Sequence, residues 1–122
     1  MTDTLRERER GHEARYKLSE ELRFKAQARR NRLLGLWAAD RMGLAPEDAA
    51  SYAKALVALN LERPGTDHVV AKVADDLRGA GVVAVSEAEI IAALERCYAD
   101  ALASLADEYP RALGQDHLQV GG

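Results

Sequence analysis

The chain has little from which to build a disulfide, a barrel or a membrane span. A single cysteine, Cys97, in 122 residues excludes an intramolecular disulfide and fits a reducing compartment. Aromatics make up 5% of the chain, with one Trp and one Phe, which argues against a sandwich or barrel core. No apolar run approaches the ~18 residues of a membrane span. The opening MTDTLRERER is charged from the outset and lacks the apolar centre of a secretion signal. A soluble intracellular protein is the expectation.

Chemistry-bearing clusters are equally scarce. His12, His68 and His117 fall in three different segments, so no two of them share a helical turn and metal-ligand spacing is absent. Neither metal nor cofactor is expected. Cys97 has no histidine near it in sequence and reads as a small core side chain. Gly79-Ala80-Gly81 follows a helical pattern and brings no lysine. It therefore reads as a helix stop and not as a phosphate loop, which follows a strand. Asp75-Asp76 and Glu87/Glu89 read as solvated carboxylates at helix ends. No set of side chains converges on catalysis, so an enzyme is not expected.

What the chain has is Ala, Leu, Arg and Glu, a composition that favours helix. The strongest pattern runs from Glu20 to Gly43, where Leu22, Ala26, Leu33, Leu36 and Trp37 recur at three-and-four spacing. Phe24, Ala28 and Leu34 lie off that stripe and widen it. Gly43 is placed to close the helix in a left-handed turn. Pro46 with Glu47 and Asp48 opens a second helix striped by Ala49, Tyr52, Ala53, Leu56 and Val57. Asp67 is the expected N-cap of a third helix, with Val70, Val73 and Leu77 inward. Ser86-Glu87-Ala88-Glu89 is a capping box for a fourth, striped by Ile91, Leu94, Tyr98, Ala101 and Leu105 and ended by Pro110. Val82–Val85 is β-branched but has no second run to pair with, so it reads as an extended connector. The expected fold is all-α: a four-helix bundle over residues 20–110 with a flexible or conditionally helical arm, 1–19, and a mobile tail, 111–122.

The net charge of −3 conceals a division. Residues 1–32 hold ten Lys/Arg against six Asp/Glu, whereas the remainder holds seven against fourteen. A basic arm on an acidic body is a statement about partners. The cluster Arg23, Lys25, Arg29, Arg30 and Arg32 leaves three readings open: phosphate contacts to nucleic acid, a solvated face salt-bridged to the acidic body, or a docking surface for an acidic protein. Glu20, Glu21 and the acidic body deny it a wide basic face, so nucleic acid is the least favoured partner. The arm, with few apolar side chains beyond Leu5, Ala14 and Tyr16 and with Gly11 in its middle, has helical propensity but little to bury.

The runs EELRFKAQARRNRLLGLWAADRMG, DAASYAKAL, VAKVADDLRGAG and VSEAEI together resemble the zeta subunit family of alphaproteobacterial F-type ATP synthases, the ATPase inhibitor subunit, over about residues 6 to 96. The ungapped FKAQARRNRLLGLWAA core makes the resemblance specific. It implies a protein that is monomeric when free and sits in the cytoplasm, peripheral to the inner membrane through the synthase. Its N-terminal segment would enter the catalytic head as a helix, between nucleotide-binding subunits and toward the central rotor subunit, and block ATP hydrolysis. On that resemblance the partner-binding residues are Leu5, Arg6, Arg8, Arg10, His12, Glu13, Tyr16 and Lys17 in the arm, and Arg23, Phe24, Lys25, Arg29, Arg30 and Arg32 on the shoulder behind it. The family's lead into the core is richer in aromatics; here His12 and Leu18-Ser19 depart from it while Tyr16 is kept. A retuned homologue with another regulatory role is the alternative those departures raise.

Overall fold

The computed structural model describes the backbone of residues 2–109 and the side chains of residues 20–109. Pro110 and the tail 111–122 lie outside the described residues. Four helices follow one another: α1 (Thr2–Arg41), α2 (Pro46–Glu62), α3 (Thr66–Gly79) and α4 (Glu87–Glu108). Among the described residues there is no strand, and Val82–Val85 lies in the α3–α4 connector.

The helix expected from Glu20 continues back through the conditionally helical arm to Thr2, so arm and shoulder share one 40-residue element of roughly 60 Å. Its C-terminal half supplies the physical reason. Once residues 20–41 are held by the bundle, every residue added upstream is propagation, and the costly nucleation step is already made. At its other end Gly43 has φ 72°. The Leu44 N–H donates to the Ala39 carbonyl and the Gly43 N–H to the Asp40 carbonyl, each at 3.0 Å. This is the paired closure of a Schellman turn, and the same two-bond pattern ends α3 at Gly81-Val82. The Ser86 hydroxyl accepts from the Glu89 N–H at 3.2 Å and caps α4 as expected. The expected cap of α3 differs. Gly65 holds the cap position and Asp67 sits in the first turn, because the Asn60 side chain donates to the carbonyls of Arg63 (2.9 Å) and Gly65 (3.0 Å) and fixes where the loop ends.

α1 packs against α2 and α4 and runs antiparallel to both. Asn31 meets Asn60 and Gly35 meets Ala53, so α1 descends as α2 rises. Ala26 packs with Ala101 and Leu105, while Arg29 reaches Ser104. The main core joins Leu34 and Ala38 of α1 to Leu56, Val69, Val73, Leu77, Ile90, Ala93 and Leu94. Two expectations are corrected here. On α1 Leu22 and Ala26 are buried as expected, but further along the buried apolar residues are Leu34, Ala38 and Ala39, while Leu33, Leu36 and Trp37 are half-buried. On α4 Ile90 is buried in place of Ile91, which is 39% exposed. The cause on α1 is Gly35. A Cβ built there would stand 2.6 Å from the Ala53 Cα, so the two backbones touch at that level. A seam this close turns the small face of α1 inward and leaves no room for an indole. Trp37 closes the core from its edge, with the Arg41 guanidinium 4.4 Å from its ring centre.

A basic shoulder and the groove beside it

The shoulder residues divide by position around α1. Arg23, Phe24, Lys25 and Arg32 face outward, and Phe24 is 58% exposed. Arg29 is tied to α4: one guanidinium nitrogen donates to the Ser104 hydroxyl at 2.8 Å and to a Glu108 carboxylate oxygen at 2.7 Å. Because both ends of the ion pair are partly solvated, it contributes at most about 1 kcal/mol. Its larger effect is to hold the guanidinium in place. Lys25 donates to the Tyr109 hydroxyl at 3.3 Å, with its ammonium 4.6 Å from that ring's centre. The reading of a face salt-bridged to the acidic body therefore fits Arg29, and Lys25 is held by an aromatic ring instead of a carboxylate.

Arg30 stands apart from the other basic residues. It is 7% exposed, and it is neither solvated nor paired with a carboxylate among the described residues. Its Nε donates to Asn31 at 3.1 Å, one terminal nitrogen donates to the Asn60 side-chain oxygen at 3.4 Å, and its guanidinium carbon lies 5.7 Å from the Tyr98 ring centre. Asn31 donates to the same Asn60 oxygen at 2.8 Å. Burial pulls the Arg30 guanidinium below its ordinary value, against smaller opposing contributions from Tyr98 and Cys97. Every buried side-chain polar atom described has a hydrogen-bond partner. The network thus joins α1, α2 and the loop into α3. Its position on α1 places Arg30 among residues that hold the bundle together, away from the outward strip.

Between α1 and α2, on the outer side of the shoulder, runs a groove of about 750 Å³. Ala28, Leu36, Ala50, Ala53 and Val57 form its apolar floor, and Phe24 stands beside it. Lys25, Arg29, Arg32 and Lys54 line it, and no carboxylate does. Phe24, Ala28 and Val57 continue into an adjoining cavity of about 240 Å³ that also meets Leu61, itself 55% exposed. Lys54, Leu61 and Tyr109 were missed from sequence. The signal for Lys54 was its place one position after Ala53 on α2; Tyr109 carried none, since its role follows from where α4 ends.

The arm residues Leu5, Arg6, Arg8, Arg10, His12, Glu13, Tyr16 and Lys17 sit on the helical backbone of α1, and their side chains lie outside the described residues. Cys97 is buried and unpaired. Burial first, then Asp100, pushes its thiol up, with Arg96 and Arg30 opposing, which makes it a poor nucleophile. Among the described residues no three His, Cys, Asp or Glu side chains gather to hold a metal ion. No helix among them is long and apolar enough to cross a membrane.

The described chain is an all-helical bundle with a basic outer groove and a long N-terminal helix. The sequence model of the family described as ATPase inhibitor subunit zeta matches residues 1–104. The chain belongs to that family, whose members are inhibitor subunits of an ATPase. A protein with a solution NMR structure is 41% identical, with a TM-score of 0.62 over 71% of this chain and 98% of its own. No curated protein matches the chain.

Proposed function

We propose that the chain is an inhibitory subunit of the F-type ATP synthase, inserting its N-terminal segment as a helix into a catalytic interface of the head to block ATP hydrolysis. The observation that carries this reading is that the family match spans the arm as well as the bundle, beginning at residue 1. Helix continuity from Thr2 to Arg41 supports the mechanism. Ordering nineteen free residues would cost on the order of 20–40 kcal/mol. An arm that extends an existing helix needs no new nucleus, and a crevice covering it on several sides supplies the contacts that order it. A helix over the arm spans roughly 27 Å, enough to reach from the surface of a head domain toward the central rotor. A wedge between nucleotide-binding subunits prevents the closure that hydrolysis requires. The bundle remains outside, at the periphery of the membrane-bound enzyme, and fixes the arm's direction through α1.

The exposed basic strip is too narrow to favour nucleic acid. With Arg30 buried and Arg29 paired, the shoulder offers Arg23, Lys25 and Arg32 to a partner. The test is full-length Ala14→Pro, which breaks the helix inside the arm and leaves every described core residue in place. Titrated against ATP hydrolysis by the cognate synthase, the native chain is expected to inhibit and the variant to lose most of that inhibition. Equal inhibition by the two would remove the arm from the mechanism.

A further inference from the structure

We infer that the α1–α2 groove is the seat for an acidic amphipathic helix on the outer surface of the catalytic head. This deepens the function proposed above and rests on it for the identity of the enzyme. Three features of the groove specify the occupant. The first is charge: Lys25, Arg32 and Lys54 line it together with Arg29, whose charge is already met by Glu108, and no Asp or Glu is among the lining residues, although acidic residues outnumber basic ones in the whole chain. A partner carrying carboxylates along both edges of its contact stripe is matched there, and a basic or neutral one is not. The second is the floor. Ala28, Ala50 and Ala53 are small, so a third helix approaches closely, and Leu36 and Val57 supply the apolar contact beneath it. The third is the exposed Phe24 ring at the edge of the groove, next to Leu61. Two large apolar side chains exposed beside one cavity form a patch, and Phe is among the aromatics enriched at interface cores.

Two of the four cations are already positioned. Arg29 is held by Ser104 and Glu108, and Lys25 by Tyr109, so binding orders fewer side chains than it would on a free surface. The groove lies on the same helix that carries the arm. Seating a partner helix there fixes the axis of α1 and therefore the line along which the arm enters the head.

The experiment measures two quantities on the purified catalytic head of the cognate synthase: equilibrium binding of the full-length chain, and residual ATP hydrolysis at saturation. The variant is Phe24→Ser combined with Lys54→Glu, both at exposed positions, with thermal melting as the folding control and Arg32→Glu as a second, independent variant. The expected result is a dissociation constant raised by about tenfold or more, an inhibition plateau unchanged once the head is saturated, and affinity that falls as salt rises. Native chain that binds and inhibits, with both variants binding within about twofold of it, overturns the groove while sparing the inhibitory function. Native chain that binds without inhibiting, with variants that lose binding, supports the groove and refutes the inhibitory reading. Absence of native binding refutes both. A concentration-dependent dimer abolished by Lys54→Glu assigns the groove to a second copy of this chain and overturns the proposal.

Discussion

Gly35→Ala sets two effects of opposite sign against each other. In an exposed helix interior, replacing Gly by Ala stabilises by about 1 kcal/mol. At Gly35 the added methyl would lie 2.6 Å from the Ala53 Cα and 3.0 Å from the Ala53 Cβ. Ordinary carbon–carbon contact needs about 3.5–4.0 Å, so α2 must retreat from α1 by ~1 Å. The nearest atom is backbone and cannot rotate away. A gap of that size forfeits a quarter to a half of the dispersion well for each contact across the seam, including those of Leu56, which is 2% exposed. Overpacking of this kind costs about 1–3 kcal/mol. With the upper half of that range expected and the propensity gain subtracted, the net is a loss of about 1–2 kcal/mol. Urea unfolding followed by far-ultraviolet circular dichroism should show the midpoint falling by roughly 0.5–1 M. Gly79→Ala is the internal control. Gly79 is helical and nothing lies within 4 Å of the position its Cβ would take, so Ala there should be neutral or stabilising. If Gly35→Ala also stabilises, the close α1–α2 seam is wrong, and with it the explanation for the inward turn of Leu34.

Two further perturbations probe the polar parts of the bundle. Asn60→Ala removes the acceptor shared by Arg30 and Asn31 and the donor to the Arg63 and Gly65 carbonyls; a loss of about 2–3 kcal/mol in the same unfolding assay is expected, and no change would show that the network contributes nothing. Tyr52→Phe tests pH dependence. Burial first, then the 2.8 Å hydrogen bond to Asp76, pushes the Tyr52 phenol up. The folded state therefore holds that proton more tightly than the unfolded chain, which releases it near pH ~10. The contribution is intact below that value and is lost as pH rises through the folded value. The native chain should accordingly lose more stability than Tyr52→Phe between about pH 9 and 11, and parallel curves would contradict the assignment.

The helices were legible because they rest on local signals. Pro46, Ser86 and Gly43 act within one turn of their own positions, and the periodic stripes of α2 and α3 each face a core from one side. The arc of α1 was read less well. It serves α2 and α4 together, and which residues turn inward depends on a backbone contact at Gly35, a residue with no side chain to show in a hydrophobic pattern. The same limit hid the division of the basic cluster. Arg29, Arg30 and Arg32 look alike in sequence, yet one turn of helix carries them from an ion pair with α4, through a buried network, to solvent. Arg30 is buried without a carboxylate because two asparagines on different helices meet it, and Asn31 and Asn60 have no joint signature in sequence. The groove was half visible: its α1 wall was marked by Phe24, Lys25, Arg29 and Arg32, while Lys54 belongs to another helix and came into view only with the packing.

The most direct test is ATP hydrolysis by the cognate F-type synthase, titrated with the full-length chain while binding is followed in the same samples. The account predicts that hydrolysis falls in proportion to the bound fraction and reaches a low plateau at saturation. Undiminished hydrolysis by an enzyme shown to be fully occupied would contradict it.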